Sequence, residues 1–115
     1  MELSKQTETL REYLYNLRDK FEHSTPPENV KDRSFFEKVK EETTPIYDLI
    51  ATWEEDALQT VKEKKITVHP QQVISTRENM ELLIMHSYYK DARRKRYMEL
   101  YNSVLYIYDQ VIRDL

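Results

Sequence analysis

The chain has 115 residues and contains neither glycine nor cysteine. Glycine makes up about 7 % of an average protein, so about eight would be usual at this length. Glycine serves where the backbone needs a positive φ or a close approach to a ligand. Phosphate-cradling loops, dinucleotide-binding fingerprints and tight hairpin turns are therefore not expected. The lack of cysteine excludes disulfides, thiolate nucleophiles and cysteine-based metal sites.

Long apolar runs and an excess of positive charge are missing as well. The longest apolar runs, residues 82–85 and 104–108, fall far short of the ~20 residues that a membrane span needs. The first residues show no apolar stretch of the kind found in a signal peptide. A net charge of −3 does not favour nucleic-acid binding by the molecule as a whole. We therefore expect a cytoplasmic protein with no membrane association.

The residues that are present favour amphipathic helices in one domain spanning residues 1–115. Apolar residues make up 39 % of the chain and charged residues 34 %, a balance typical of helices with one wet face. Leu3, Leu10, Leu14, Leu17 and Phe21 lie at helical spacing and predict a first helix over residues 4–23 with Ser4 as N-cap. Residues 24–33, which include two adjacent prolines, read as a linker.

A second helix is predicted to open at Ser34, where Glu37 would complete a capping box. Pro45 interrupts its apolar pattern, and Thr44 before it is a suitable N-cap for a new start. An unbroken helix over residues 34–64 would reach about 46 Å, against roughly 30–35 Å for the other helices. We therefore expect a kink or a split at residues 43–45.

Two further helices are predicted in the second half of the chain. Residues 66–68 form a short connection, and His69 with Pro70 starts the third helix. A corner over residues 90–96, with Asp91 as a suitable cap, leads into the last helix. Four amphipathic helices of similar length favour an all-α fold, a four-helix up-and-down antiparallel bundle whose second helix is kinked or split near Pro45.

No catalytic, cofactor-binding or metal-binding residues are predicted. Helical bundles that hold two iron ions use Glu-x-x-His pairs, but Lys20, Ile66 and Leu83 stand three residues before the three histidines. The serines lack a glycine elbow, and we expect Ser87 and Ser103, near the core faces, to bond to carbonyls of their own helix. Trp53 and the stripe of Tyr97, Tyr101 and Tyr108 are interpreted as core.

A cluster of positive charge at the third corner is the one candidate binding site. It consists of Lys90, Arg93, Arg94, Lys95 and Arg96. Arginine beside aromatic residues binds phosphate or stacks on bases. The alternative is an ordinary solvated corner, neutralised by Asp91 or by the acidic residues 54–56.

The sequence resembles the YppE-like family, small uncharacterised proteins of Gram-positive bacteria. The residues that carry the resemblance are Phe35-Phe36-Glu37, Trp53, Ala57-Leu58, Val68-His69, Gln72, Asn79, Glu81-Leu82, Ser87-Tyr88, Lys95-Arg96-Tyr97 and Ser103-Val104-Leu105-Tyr106. They cover about the C-terminal two-thirds, and the first helix is similar mainly in pattern. The resemblance implies a four-helix up-and-down bundle and no particular activity. The sequence departs from the family pattern at Pro45, which lies later than expected, and at Pro70, which directly follows His69.

No motif in the chain points to a particular activity, so three functions remain open. The first is a non-enzymatic interaction or adaptor module with an unknown protein partner. The second is a weak binder of nucleic acid or a phosphate ligand through the basic residues of 90–96. The third and least favoured is an enzyme with a pocket in the bundle core. Homodimerisation through a leftover apolar stripe is compatible with each.

Overall fold

The structure, a computed structural model, describes residues 1–29 and 31–115. These residues form the α-helices α1 (Leu3–His23), α2 (Arg33–Lys62), α3 (Pro70–Tyr89) and α4 (Arg94–Asp114). No strand occurs in either described range. The expected linker lies between α1 and α2, although Val30 within it is outside the described residues. The predicted all-α fold is confirmed.

Each helix packs antiparallel to the next, and α4 returns to α1. Side-chain pairs show the antiparallel register of α3 and α4: Ser87 meets Tyr97 near one end, and Thr67, just before α3, meets Asp114 at the other. α1 also approaches α3 across one diagonal, whereas α2 and α4 come no closer than 8 Å between Cα atoms in the described residues. The rings of Trp53 and Tyr108, 5.4 Å apart between centroids, fill this longer diagonal.

The core is apolar and continuous along the bundle, as the four stripes predicted. Trp53, Tyr97 and Tyr108 are its largest fully buried side chains, and Tyr101 is buried beside them. Because every helix contributes part of this core, each depends on its neighbours for stability. The interpretation of the tryptophan and the tyrosine stripe as core residues is confirmed.

The second helix is continuous through Pro45, so of the two expected alternatives the split is wrong, whereas a kink within the continuous helix stays a prediction. Its 30 residues correspond to about 45 Å, close to the 48 Å long axis of the molecule. The length argument failed because the first turn of α2 does find a partner: the ring of Phe35 packs edge-on against Tyr89, 5.3 Å away. Pro45 itself is exposed.

The observed helix starts agree only in part with those predicted from the sequence. His69 and Gln72 form a capping box and Pro70 is the first helical residue, as predicted. Asp32, rather than Ser34, caps α2, because its carboxylate accepts bonds from the amides of the next residues. The capping box predicted at Ser34 and Glu37 is therefore wrong, since the N-cap lies two residues earlier, at Asp32.

The other two predicted caps are also wrong. α1 begins at Leu3, with Glu2 before it, so Ser4 is inside the helix. Arg93 occupies the cap position of α4, and no side chain there bonds to the helix. Asp91 pairs with His86 instead, with 2.7 Å between Oδ1 and Nδ1.

Candidate functional site

The basic corner, defined as Lys90, Arg93, Arg94, Lys95 and Arg96, spans the end of α3 and the first turn of α4. The connection itself covers only residues 90–93, so the predicted corner over 90–96 is three residues too long. Lys90 ends α3, and its ammonium donates a hydrogen bond to the carbonyl of Ser24 at the end of α1. Arg94 reaches the same end of α1, where its Nε and Nη2 lie 3.0 and 2.8 Å from Oε1 of Glu22. These two residues attach the corner to the C-terminus of α1, where cations also meet the negative end of the helix dipole.

The remaining members of the basic corner face solvent. Arg96 lies 3.9 Å from Glu99, one turn along its own helix. Arg93 and Lys95 are exposed, and neither forms a salt bridge within the part of the chain that the structure describes. Of the five charges, two are therefore committed to the fold, that of Arg96 is paired with Glu99, and two are open to a ligand.

The acidic residues 54–56 do not neutralise the basic corner, contrary to one of the alternatives considered above. Glu54 accepts a 2.8 Å bond from Arg77. Asp56 accepts a 2.7 Å bond from the side chain of Gln6. Both carboxylates hold α2 against a neighbouring helix, because they lie where α2 meets α3 and α1.

A buried hydroxyl pair lies just below the basic corner. Oγ of Ser87 donates to the carbonyl of Leu83 at 2.6 Å, as predicted, and lies 2.7 Å from the hydroxyl of Tyr97. The ring of Tyr97 stacks on Phe21 with 3.9 Å between centroids. Burial raises the pKa of Tyr97 to about 12. The phenol is therefore neutral and structural at physiological pH.

Two buried polar atoms at the opposite end of the bundle have no hydrogen-bond partner among the described residues. They are Oε1 of Gln6 and the hydroxyl oxygen of Tyr108. Nearby, the indole of Trp53 donates to Thr7 at 3.0 Å. The described ranges show no group of three histidine, aspartate or glutamate side chains placed to bind a metal ion.

A groove of about 520 Å³ runs between α3 and α4. Its walls are built from residues 71–79 on α3 and 102–107 on α4. The lining side chains are Gln71, Gln72, Ser75, Thr76, Asn79, Asn102, Ser103, Tyr106 and Ile107. We call this set the α3–α4 groove. Serine on both walls leaves room between the helices, and Tyr106 stands at the rim with 61 % of its surface exposed.

The α3–α4 groove is free of charged side chains, although 34 % of the chain is charged. Sequence reasoning missed it, because its residues come from two separate helices and carry no motif. Ser103 was expected to bond to its own helix, but it is exposed on the wall of the groove. The available signal was negative: the groove-facing positions of both helices lack lysine, arginine, aspartate and glutamate.

The family model described as "Bacterial domain of unknown function (DUF1798)" matches residues 7–115. The chain belongs to this family. A relative in the DUF1798 family is "Uncharacterized protein YppE" of Bacillus subtilis (strain 168), 31 % identical over 85 residues, which span 70 % of this chain and 69 % of the relative. The resemblance drawn from the sequence is thus confirmed.

Two solved structures of YppE share the fold of this DUF1798 member. The X-ray crystal structure has a TM-score of 0.84 and 27 % identity, covering 97 % of this chain and 90 % of YppE. The solution NMR structure has a TM-score of 0.77 and 25 % identity with the same coverage. The four-helix bundle is therefore an observed architecture of the family. In the two described ranges, no helix has the length and hydropathy needed to cross a membrane.

Proposed function

We propose that this protein is a non-enzymatic interaction module of the bacterial cytoplasm, and that it binds a protein partner through the α3–α4 groove. The observation that carries the proposal is the combination of an uncharged concave surface with the exposed ring of Tyr106. Protein-binding surfaces are depleted in charge at their centre and enriched in tyrosine.

The rest of the molecule supports a binding role more than a catalytic one. The buried hydroxyls of Ser87 and Tyr97 bond to each other and to the backbone, so neither is activated as a nucleophile. At the other end, the amide of the buried Gln6 donates to the carboxylate of the exposed Asp56. An enzyme with a bundle-core pocket is consequently the least supported of the three functions.

The test is photo-crosslinking in the bacterium that encodes the protein. A photoreactive amino acid replaces Asn102 in the groove or, as the matched control, the exposed Asn16 on α1. We expect a discrete crosslinked partner only from the groove position. The Tyr106→Glu variant should lose it, because a charge is then buried on binding, whereas Tyr15→Glu on α1 should retain it.

The same partner crosslinked equally from position 16, or retained by Tyr106→Glu, would contradict the proposal. Circular dichroism of both glutamate variants checks that the bundle is intact. Both tyrosines are exposed helix positions, so the fold should tolerate either substitution.

A second candidate function, binding of nucleic acid or a phosphate ligand, depends on the basic corner. It is supported by Arg93 and Lys95, which are exposed and adjacent to the start of α4. Fluorescence anisotropy with a labelled single-stranded DNA at low salt tests it. Binding that weakens with salt and disappears in Arg93→Glu/Lys95→Glu would establish this function. Absence of binding by the wild-type protein would remove it.

A further inference from the structure

The side chains of the α3–α4 groove retain hydrogen-bonding capacity that the fold does not use. The amides of Asn79 and Asn102 have no hydrogen-bond partner among the described residues. Gln72 uses its carbonyl oxygen to cap α3, accepting from the amide of His69 at 2.8 Å, so its NH₂ group is free. Gln71 makes only a long 3.4 Å contact with Ser75. An amide offers both a donor and an acceptor in one plane, which matches a peptide group.

The charge of the groove limits what can bind there. A ligand carrying phosphate or carboxylate would find no cation among the lining residues, and a cationic segment would find no carboxylate. Burial of an unpaired charge is strongly unfavourable. The occupant that fits is therefore uncharged over the length of the groove, with hydrogen-bonding groups of its own.

The spacing of the groove residues matches an extended chain. Gln71, Ser75 and Asn79 lie four residues apart on one side of α3, which places them about 6 Å apart along the helix axis. In an extended strand, peptide groups that face the same direction repeat every two residues, or about 6.6 Å. The distance from Gln71 to Asn79 is about 12 Å, so the groove accommodates about four extended residues.

We propose that the α3–α4 groove binds an extended, uncharged peptide segment of a partner protein, with the amides of Asn79 and Asn102 bonding to its backbone. The ring of Tyr106 covers one of its side chains at the rim. The inference rests on the proposed function and adds the conformation and chemistry of the bound segment. A partner helix, a second copy of this chain or a carbohydrate would each use the groove differently.

The experiment uses the full chain and a phage library of random dodecapeptides. Peptides selected on the wild-type protein are counter-selected on Asn79→Ala/Asn102→Ala. The strongest peptide is then synthesised, its dissociation constant is measured by calorimetry, and its site is mapped by NMR chemical-shift changes. We expect an uncharged core of about four residues whose binding shifts the resonances of the groove.

The single variants Asn79→Ala and Asn102→Ala should each weaken binding about 2- to 10-fold, the range expected for one net hydrogen bond. Asn16→Ala, which removes an exposed amide from α1, should leave the dissociation constant unchanged. Methylation of the backbone nitrogens of the peptide core should weaken binding, because the amides then lose their backbone donors. Proline placed next to the core should be tolerated, since an extended chain accepts it and a helix does not.

Several results would overturn the inference. They are recovery of no groove-dependent peptide, insensitivity to backbone methylation, and loss of binding when proline is introduced. Sedimentation that shows a dimer broken by Tyr106→Glu would assign the groove to a second copy. If the crosslinked partner still depends on the groove but binds through a helix or a folded surface, this inference fails while the proposed function stands. If crosslinking of the partner does not depend on the groove at all, both this inference and the proposed function fail.

Discussion

Two lysines occupy backbone conformations that most proteins give to glycine. Lys64, with φ of 60°, follows the end of α2, and Lys90, with φ of 53°, ends α3. After α2, the amide of Lys65 bonds to the carbonyl of Thr60 and that of Lys64 to Val61, which is the hydrogen-bond pattern of a Schellman motif. A side chain with a Cβ makes the left-handed conformation unfavourable, so the lack of glycine costs stability at these two ends.

We expect Lys64→Gly to raise the free energy of unfolding by about 0.5–1 kcal/mol, because it removes this steric cost at an exposed position. Lys90→Gly serves as the contrast, since it also removes the bond from the ammonium to Ser24. The free energy of unfolding should therefore rise less in Lys90→Gly than in Lys64→Gly, or should fall. Urea denaturation followed by circular dichroism measures both. Equal gains from the two variants would show that the Lys90 ammonium contributes nothing to stability.

Tyr97 and Tyr108 are both fully buried but differ in the state of their hydroxyls. The hydroxyl of Tyr97 bonds to Ser87, whereas that of Tyr108 has no partner among the described residues. Tyr97→Phe should therefore lower the free energy of unfolding by about 1 kcal/mol, and Tyr108→Phe should raise it by a similar amount. Thermal denaturation of the two variants checks whether their free energies of unfolding change in opposite directions. A loss of stability in Tyr108→Phe would indicate that an internal water satisfies that hydroxyl.

At the scale of the element, Pro45 is the feature of α2 that local rules do not favour. It supplies no amide hydrogen, so the carbonyl of Glu41 lacks its usual partner one turn later. In the same turn, the hydroxyls of Thr43 and Thr44 donate to the carbonyls of Val39 and Lys40 at 2.7 and 2.6 Å. The helix continues because residues on both sides of the proline are anchored in the core.

Pro45→Ala should raise the free energy of unfolding by about 1–3 kcal/mol, since proline inside a helix is about 3 kcal/mol less favourable than alanine. The side chain is exposed, so no core contact is lost. Asp48→Ala, on the same exposed side, is the control for the effect on stability of introducing an alanine into this helix. Hydrogen exchange should show weaker protection near residues 45–47 in the wild type than in Pro45→Ala. Unchanged stability and exchange would mean that α2 accommodates the proline without cost.

At the scale of the whole molecule, the bundle is a flattened rather than a square arrangement. α1 and α3 approach each other, while the Trp53 and Tyr108 rings fill the space between α2 and α4. The large aromatic side chains thus allow the two more distant helices to share one core. Because the rings span the molecule, the stability of the bundle depends on tyrosines that stay neutral.

Alkaline pH should therefore unfold the protein as one unit. Burial raises the pKa of Tyr88 and Tyr97 from 10.0 to about 12, and burial also raises that of Tyr108. Unfolded tyrosines release protons near pH 10, so the stabilisation is complete below pH 10 and is lost as the pH rises through 12. Absorbance at about 295 nm and circular dichroism should show late tyrosine ionisation together with loss of helix. Ionisation of every tyrosine with helices intact would contradict this.

The exposed Tyr15 provides the control for alkaline unfolding. Tyr15→Phe should reduce the number of tyrosines that ionise before unfolding without moving its midpoint. Tyr97→Phe removes one of the tyrosines whose late ionisation drives unfolding. Once its lower stability at neutral pH is taken into account, the pH midpoint of its unfolding should therefore be higher than that of the wild type.

The apolar pattern of the sequence was sufficient to predict the helical segments, the core and the family, although not the exact ends of the helices. Apolar spacing is a local property that each helix carries in its own residues, so Leu10, Trp53, Leu83 and Tyr108 could be placed inside before any contact was known. The start of α3 could also be predicted, because His69, Pro70 and Gln72 cap the helix through local contacts with its first turn. The sequence showed the basic corner as a cluster of charges, but it did not show which of these residues contact α1.

Only the tertiary structure decided the course of α2, the partners of the charges and the groove. Phe35 finds Tyr89, and the core holds both halves of α2, so packing outweighs the local cost of Pro45. Lys90 and Arg94 bind the end of α1, a contact between residues about 70 positions apart that no local pattern encodes. The α3–α4 groove exists because two helices set uncharged side chains opposite each other. Pairing across such separations is a property of the packed bundle, so the candidate site emerged only from the fold.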